Sequence, residues 1–170
     1  MSRPALFLDR DGVINVDHGY VGSWDRFEFI SGIAAVITAA NQAGRAVVVV
    51  TNQSGVARGY FTEADVALLH ERMTGALEAQ GARIDRIEMC PYLPGAPLPE
   101  YDRDSPARKP APGMLLSAIK ALQIDASSSD LIGDKPSDVE AAAAAGVRGH
   151  LFSGGDMRAF VAARLTDLDL

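Results

Sequence analysis

The sequence predicts an α/β fold, a doubly wound, Rossmann-like parallel sheet with helices on both faces. Short strand-forming runs alternate with helix-length segments along the whole chain. Two of these runs, Ala5–Leu8 and Ala46–Val50, are apolar throughout, as expected for strands that are covered on both faces. Polar residues follow directly after these runs, and open α/β sheets bind their ligands at the carboxyl ends of their strands.

The elements follow from these patterns in chain order. Three further strands are predicted at Ile84–Met89, Asp130–Ile132 and Gly149–Phe152. Helices are predicted at Ile33–Ala43, Glu63–Gln80, Met114–Leu122, Asp138–Ala145 and Met157–Arg164, and the glycine after the first, second and fourth is a helix stop. Thr62–Asp65 and Ser137–Glu140 match the spacing of a capping box and predict two helix starts.

Composition limits the possible partners and compartment. A chain of 170 residues, with 48% hydrophobic and 22% charged residues, suits one globular domain over residues 1–170. A net charge of −6 without a basic run argues against nucleic acid, and no apolar stretch is long enough to span a membrane. The apolar run after Met1–Pro4 is too short for a signal peptide, and the single cysteine, Cys90, fits a reducing cytoplasm. The oligomeric state stays open, and a monomer is compatible with the sequence.

The first apolar run ends in two aspartates and a glycine, Asp9-Arg10-Asp11-Gly12. In an extended segment Asp9 and Asp11 project to one side and Arg10 to the other. Two close carboxylates repel each other, so the pair predicts a bound divalent metal, a proton-carrying acid, or both. Oxygen donors favour magnesium. Alone, the pattern also fits a surface turn with solvated acids.

Three more stretches decide between these interpretations. Val47–Val50 runs into Thr51-Asn52-Gln53-Ser54-Gly55, Arg108-Lys109-Pro110 follows a long loop, and Leu131-Ile132 runs into Gly133-Asp134-Lys135-Pro136-Ser137-Asp138. Together with the aspartate pair, and in this order, these stretches resemble the motifs of the haloacid-dehalogenase (HAD) phosphohydrolase superfamily.

The resemblance implies a role for each matching residue. Asp9 is expected to be ionised at neutral pH and to attack phosphorus, giving an aspartyl-phosphate, while Asp11 acts as general acid and then general base. Asp134, the Asp9 carboxylate and the Asp11 backbone carbonyl would hold Mg²⁺. Lys109 would offer positive charge, and Thr51 a hydroxyl, to the phosphoryl oxygens. Asp138 is either a member of this site or only a favourable acid in the first helical turn.

The same spacing predicts a capless HAD fold. Cap domains of this superfamily are inserted between the aspartates and the threonine, or between the threonine and the lysine. Here core elements fill both intervals, from Asp11 to Thr51 and from Thr51 to Lys109. Loops are therefore expected to determine the substrate, and the longest, Pro91–Ala107, contains five prolines.

A narrower resemblance is to the D-glycero-D-manno-heptose-1,7-bisphosphate 7-phosphatases, which supply glycan synthesis such as that of lipopolysaccharide. Asp17-His18-Gly19-Tyr20 is the most discriminating stretch, and the likeness runs from about Ala5 to Gly146. It implies a small phosphorylated sugar as substrate. The residues implied to contact it are Asp17, His18, Gly19, Tyr20, Thr51, Asn52, Gln53, Ser54, Arg108, Lys109 and Lys135.

Three alternatives stay open at this point. Histidinol-phosphate phosphatases are close relatives and would use the same chemistry. A nucleic-acid 3′-phosphatase is disfavoured by the missing basic groove. A non-catalytic phosphosugar-binding protein predicts damage to a catalytic position, and Asp9, Asp11, Thr51, Lys109 and Asp134 are all present.

One departure from the family is plain. Its members commonly hold a structural zinc before the Arg-Lys-Pro stretch through a Cys-x-His pair and a Cys-x-Cys pair. Here those places are occupied by Cys90, Tyr92, Ser105 and Ala107. Structural zinc requires four ligands, so zinc is predicted to be absent, and the loop prolines are expected to supply stiffness. His70 and His150 are expected to serve packing or the surface, whereas His18 belongs to the matched motif.

Overall fold

In the computed structural model, which describes residues 2–170, five strands form one all-parallel sheet. The strands are β1 (Ala5–Leu8), β2 (Ala46–Asn52), β3 (Arg86–Cys90), β4 (Asp130–Gly133) and β5 (Arg148–Leu151), in the spatial order β3-β2-β1-β4-β5. Helices connect them: α1 (Ile33–Gln42), α2 (Glu63–Glu78), α3 (Gly113–Leu122), α4 (Pro136–Ala144) and α5 (Met157–Ala162). Every predicted strand and helix is present, and the fold class is confirmed.

Two hydrophobic clusters cover the two faces of this sheet. Leu6 and Leu8 of β1 belong to one cluster, and Phe7 belongs to the other. The same alternation holds along β2, where Val47 and Val49 face one side and Val48 and Val50 the other. Because both faces are buried, a polar side chain without a partner would be costly along β1 and from Ala46 to Val50, which explains the unbroken apolar sequence of these two runs.

The two predicted capping boxes have different outcomes. At α2, the Asp65 amide donates to the Thr62 hydroxyl over 3.1 Å and the Thr62 amide donates to the Asp65 carboxylate over 2.8 Å, as predicted. The box predicted at Ser137–Glu140 is wrong. Helix α4 begins at Pro136, two residues earlier than expected, and the acid that caps it is Asp138, not Glu140.

The segments between the predicted cap-insertion points contain only core elements and loops. Between Asp11 and Thr51 lie a 3-10 turn at Trp24–Arg26, α1 and the start of β2. Between Thr51 and Lys109 lie α2, β3 and a 3-10 turn at Pro99–Tyr101. This is the capless arrangement that the spacing predicts. Among the residues from 2 to 170, no helix is long and apolar enough to cross a membrane.

Candidate active site

The candidate site lies at the carboxyl ends of the three central strands. Asp9 follows β1 directly, Thr51 is near the end of β2, and Asp134 follows β4. The order of strands places β1 between β2 and β4, so these three polar residues come to one edge of the sheet. Lys109 reaches the same edge from the segment before α3, where its backbone amide and carbonyl both bond to the Asn52 side chain over 3.1 Å.

Lys109 is the centre of a buried ionic cluster. Its ammonium donates to Oδ1 of Asp9 over 2.9 Å, to the Val50 carbonyl over 2.8 Å, and to Asp138. Burial alone would lower the pKa of Lys109, but the Asp9 and Asp138 carboxylates raise it, so the ammonium stays charged. Since all three of its protons are used, Lys109 orients Asp9 directly.

Asp138 serves both roles that the sequence left open. It is 1% exposed, and Oδ2 accepts hydrogen bonds from the backbone amides of Asp134 and Lys135, each over 3.1 Å. Oδ1 accepts from Lys109. The carboxylate therefore caps α4 and also holds the lysine against Asp9.

Asp9 carries a strongly perturbed carboxyl group. Burial raises its pKa to about 8, with Lys109 opposing the shift and Asp138 adding to it. The Lys109 ammonium thus offsets only part of the cost of burying this carboxylate. A divalent cation beside Asp9 would oppose the upward shift of its pKa by favouring the charged form.

The acidic residues suit a hard divalent cation. Asp9, Asp134 and Asp138 each present a ligand oxygen, and these atoms lie within 4.8 Å of one another. Burial raises the pKa of Asp134, and its Oδ1 is buried without a hydrogen-bond partner among residues 2–170. A buried oxygen of this kind is costly unless something binds it. Carboxylate oxygens in this number match the ligand preference of Mg²⁺.

Gly12 makes room for this acid. Its φ is +88°, and a Cβ atom at this position would collide with the carboxylate of Asp134. Only glycine satisfies both the left-handed backbone and the close approach. The glycine of the Asp-x-Asp-Gly stretch is thus explained by the position of Asp134.

Asp11 is held by three side-chain donors. Arg10 Nη2 and Asn15 Nδ2 donate to Oδ1 over 2.9 and 3.0 Å, and Gln53 Nε2 donates to Oδ2 over 2.8 Å. Burial would raise the pKa of Asp11, but the Arg10 charge and the hydrogen bonds outweigh it and lower the pKa. Without substrate, Asp11 is therefore a carboxylate in a fixed orientation. Gln53 also donates to the Thr51 hydroxyl over 2.9 Å, which links Asp11 to β2.

Arg10 contributes to the site although sequence alternation points it away from Asp11. The strand ends at Leu8, so alternation no longer applies, and the fully buried guanidinium turns back to Asp11. Arg10 Nη2, which donates to Asp11, also donates to the Val21 carbonyl over 2.6 Å, while Arg10 Nη1 lies 3.2 Å from His70 Nε2. Since Arg10 is a cation, the neutral ring of His70 accepts this hydrogen bond.

A pocket of about 580 Å³ opens above these groups. It brings together nine of the eleven residues that the sequence implies for substrate contact, and these nine are Asp17, Gly19, Tyr20, Asn52, Gln53, Ser54, Arg108, Lys109 and Lys135. Thr51 does not line the pocket, because its side chain is fully buried beneath it. His18 does not line the pocket either, because its Nε2 pairs with the Glu28 carboxylate over 2.8 Å at the surface.

Arg26 shapes one wall of the pocket, a role that the sequence does not reveal. Its guanidinium donates to the carbonyls of His18, Gly19 and Tyr20 over 2.8 to 2.9 Å. Gly19 and Tyr20 have φ values of +79° and +47°. Arg26 thus holds a turn whose backbone is otherwise unfavourable, at least at Tyr20.

The four positions where the family places zinc ligands form a different structure here. Cys90 is buried in one hydrophobic cluster, and Tyr92 and Ala107 pack against the same cluster. Ser105 Oγ accepts a hydrogen bond from the Ala107 amide over 3.1 Å. A phenol ring, a methyl group and an occupied hydroxyl do not suit zinc, which takes thiolate, imidazole or carboxylate ligands.

Comparisons with known proteins agree with this geometry. A family model described as HAD-hydrolase-like matches residues 106–167. A D-glycero-beta-D-manno-heptose-1,7-bisphosphate 7-phosphatase of Rhodopseudomonas palustris is 50% identical over 159 residues, which cover 94% of this chain and 88% of the relative. An Escherichia coli K12 enzyme of the same name is 50% identical over 146 residues, which cover 86% and 76%.

Solved structures give the same result. The D,D-heptose 1,7-bisphosphate phosphatase from B. bronchiseptica, complexed with magnesium and phosphate, superposes with a TM-score of 0.80 at 35% identity, covering 98% of this chain and 88% of that one. The corresponding enzyme from Burkholderia thailandensis gives a TM-score of 0.64 at 32% identity, covering 95% and 85%. The chain therefore belongs to the D-glycero-D-manno-heptose-1,7-bisphosphate 7-phosphatase family of HAD-like hydrolases.

Proposed function

We propose that this protein is a magnesium-dependent phosphatase that removes the 7-phosphate of D-glycero-D-manno-heptose 1,7-bisphosphate. The observation that carries the proposal is the arrangement of Asp9, Asp11 and Lys109 beneath a pocket with cationic walls. Family membership supplies the identity of the sugar. We further propose that the chain acts as one domain in the cytoplasm, as its single buried thiol, Cys90, suggests.

The first chemical step would be attack by Asp9. A carboxylate oxygen of Asp9 forms a bond to phosphorus while the bond from phosphorus to the sugar oxygen breaks. Asp11 gives its proton to the departing sugar oxygen. Asp11 is a carboxylate without substrate, and the incoming phosphoryl anion would raise its pKa and so allow it to carry that proton.

The second step would release phosphate. Asp11, now a carboxylate, accepts a proton from water, whose oxygen attacks phosphorus and displaces Asp9 as a carboxylate. Arg10, Asn15 and Gln53 keep the Asp11 carboxylate in one orientation during both steps. Inorganic phosphate and the sugar monophosphate are the products.

Asp9, Asp134 and the Asp11 backbone carbonyl would hold Mg²⁺. When bound, the ion neutralises charge between the nucleophile and the phosphoryl group. Lys109, itself held by Asp138, would keep the Asp9 nucleophile in place. Thr51 and the neighbouring backbone would offer hydrogen-bond donors to the phosphoryl oxygens. We also infer that no structural zinc is needed, because Tyr92, Ser105 and Ala107 do not provide zinc ligands.

Recognition of the rest of the sugar would fall to the loops. Arg108 and Lys135 supply positive charge at the pocket wall for a second phosphate, and Asp17 supplies an acceptor for sugar hydroxyls. Such a site should favour a bisphosphate over a monophosphate, because the second phosphate adds charge-assisted hydrogen bonds.

A phosphate-release assay in Mg²⁺ tests the function. The heptose 1,7-bisphosphate, histidinol phosphate, a 3′-phosphorylated oligonucleotide and 4-nitrophenyl phosphate would be compared by kcat/KM. We expect the heptose compound to be the best substrate, and Arg108→Ala to reduce its advantage over the aryl phosphate. Arg164→Ala, two residues after the end of α5 and outside the pocket, is the matched control. A higher kcat/KM for histidinol phosphate would replace the assignment with its rival.

A further inference from the structure

The loop before Arg108 is fastened by an aromatic clasp, which we define as Tyr92, Tyr101, Arg103 and Glu63. The guanidinium carbon of Arg103 lies 3.8 Å from the centre of the Tyr92 ring. The rings of Tyr92 and Tyr101 have their centres 6.1 Å apart. The Tyr101 hydroxyl donates to the Glu63 carboxylate over 2.8 Å, and Glu63 lies in the first turn of α2. The clasp thus joins this loop to a helix end that is itself held by a capping box.

The clasp is connected to the pocket through the backbone of Tyr92. The Tyr92 carbonyl accepts a hydrogen bond from Arg108 Nη1 over 3.3 Å, and Arg108 lines the pocket. The loop is also closed on itself, because the Leu93 amide donates to the Tyr101 carbonyl over 3.1 Å. Displacement of the Tyr92 ring would therefore move the acceptor that directs the Arg108 guanidinium.

We propose that Arg103 is a positioning residue for substrate recognition. By stacking on Tyr92 it holds the carbonyl that orients Arg108. The inference rests on the proposed function for the substrate but not for the contact itself.

The size of the effect follows from the strength of such contacts. A stacked cation at a partly exposed site changes an equilibrium by roughly twofold to fivefold, and by more when it is desolvated. Tyr92 is half-buried and Arg103 is exposed, so the smaller range applies. We expect Arg103→Ala to raise the KM for the heptose bisphosphate by about this factor, with little change in kcat, because no group at the phosphorus has moved.

The chain offers a matched control in Arg164. Its guanidinium carbon also lies 3.8 Å from a ring centre, that of Phe160 on α5, and this contact is away from the pocket. Arg164→Ala removes an equivalent contact and should leave KM unchanged. Turnover of 4-nitrophenyl phosphate, which has no second phosphate, should be unchanged in both variants. Tyr92→Phe should keep the wild-type KM and Tyr92→Leu should match Arg103→Ala.

A double-mutant cycle decides whether Arg103 acts through Arg108. If it does, adding Arg103→Ala to Arg108→Ala causes no further rise in KM. Additive effects, or an equal loss with the aryl phosphate, would overturn the proposal. Hydrogen–deuterium exchange of residues 92–107 gives a readout without substrate, and exchange should rise in Arg103→Ala but not in Arg164→Ala. The wild-type substrate panel tests the function separately, and if another phosphate is best, the cycle is run on that compound.

Discussion

The ammonium nitrogen of Lys109 lies 2.9 Å from Oδ1 of Asp9, and both side chains are buried. The contact joins the end of β1 to a segment one hundred residues later, and Asp138 holds the lysine from the other side. A buried cation that uses all its donors cannot reorient without losing several hydrogen bonds. Lys109 therefore fixes the carboxyl that the proposed chemistry uses as nucleophile.

The first prediction concerns that carboxyl. Asp9→Asn should abolish phosphate release, with a loss of more than about 10⁴-fold in kcat, because an amide cannot form the acyl-phosphate. The variant should keep its fold, since the amide oxygen can still accept from Lys109 and a neutral group avoids the cost of a buried charge. Phosphate release and thermal unfolding are the measurements.

The same change at an exposed aspartate controls for loss of charge. Asp25→Asn lies in the 3-10 turn outside the pocket and should leave kcat unchanged. Near-normal turnover by Asp9→Asn would contradict the proposed mechanism.

The second prediction concerns the metal. Removal of divalent ions with a chelator should abolish activity, and Mg²⁺ should restore it. Asp134→Ala should raise the half-saturating Mg²⁺ concentration by more than roughly 10-fold, because even outer-shell changes in metal sites cost 10- to 100-fold. Mg²⁺ should also raise the melting temperature of the wild type, by linkage, and do so much less in the variant. Full activity after chelation, with metal content checked by elemental analysis, would contradict this.

The sequence predicts the central part of the fold well. The bounds of β1 agree to the residue, and β2 starts where predicted, because both strands are buried on two faces and therefore have a continuous apolar run in the sequence. The edge strand β3 begins two residues later than predicted, since a partly exposed strand has a weaker pattern. Helix α4 starts earlier than predicted because Pro136 occupies its first turn, where proline is favoured.

Within and around the site, His18 and His70 show what a sequence cannot reveal. His18 lies in the discriminating motif, yet its ring pairs with Glu28 at the surface. His70, expected to serve packing or the surface, lies against Arg10, which holds Asp11. The contact between Arg10 and His70 joins residues sixty positions apart. It depends on the Arg10 side chain, which strand alternation would direct to the other face. No local pattern encodes such a contact.

The third prediction follows from the buried position of His70. Burial, with Arg10 adding to it, lowers the pKa of His70 to about 4, whereas an unfolded histidine titrates near 6.5. Between these values the unfolded chain binds a proton that the folded protein does not. The stabilisation is therefore complete above pH 6.5 and is lost as the pH falls toward 4. From pH 7 to 5 the free energy of unfolding should fall by about 2 kcal/mol through this residue.

Comparison with His70→Gln isolates this contribution, because glutamine can still accept from Arg10 but does not titrate. Urea unfolding of both proteins at pH 7 and pH 5 gives the difference, and the wild type should lose more stability than the variant. An identical pH dependence in the two proteins would mean that His70 is already charged, or free to become charged, in the folded state.

The fourth prediction concerns the loop without zinc ligands. Purified protein should contain no stoichiometric zinc, and a zinc-selective chelator should leave its melting temperature unchanged. Bound zinc would stabilise the native state by linkage, so its removal would appear as a loss of stability. As a positive control, a relative with the Cys-x-His and Cys-x-Cys pairs should lose stability under the same treatment.

Without zinc, the loop from Pro91 to Ala107 must be held by side-chain contacts alone. Substitutions that remove these contacts give a second test of the prediction. Tyr101→Phe removes the hydrogen bond to Glu63, and Tyr92→Leu removes the ring that Arg103 covers. Each should lower the stability by about 0.5–1.5 kcal/mol, the usual range for one hydrogen bond or one stacked cation, and the loss should not depend on added zinc. Stoichiometric zinc in elemental analysis, or rescue of either variant by zinc, would show that Cys90 and other ligands still form a metal site.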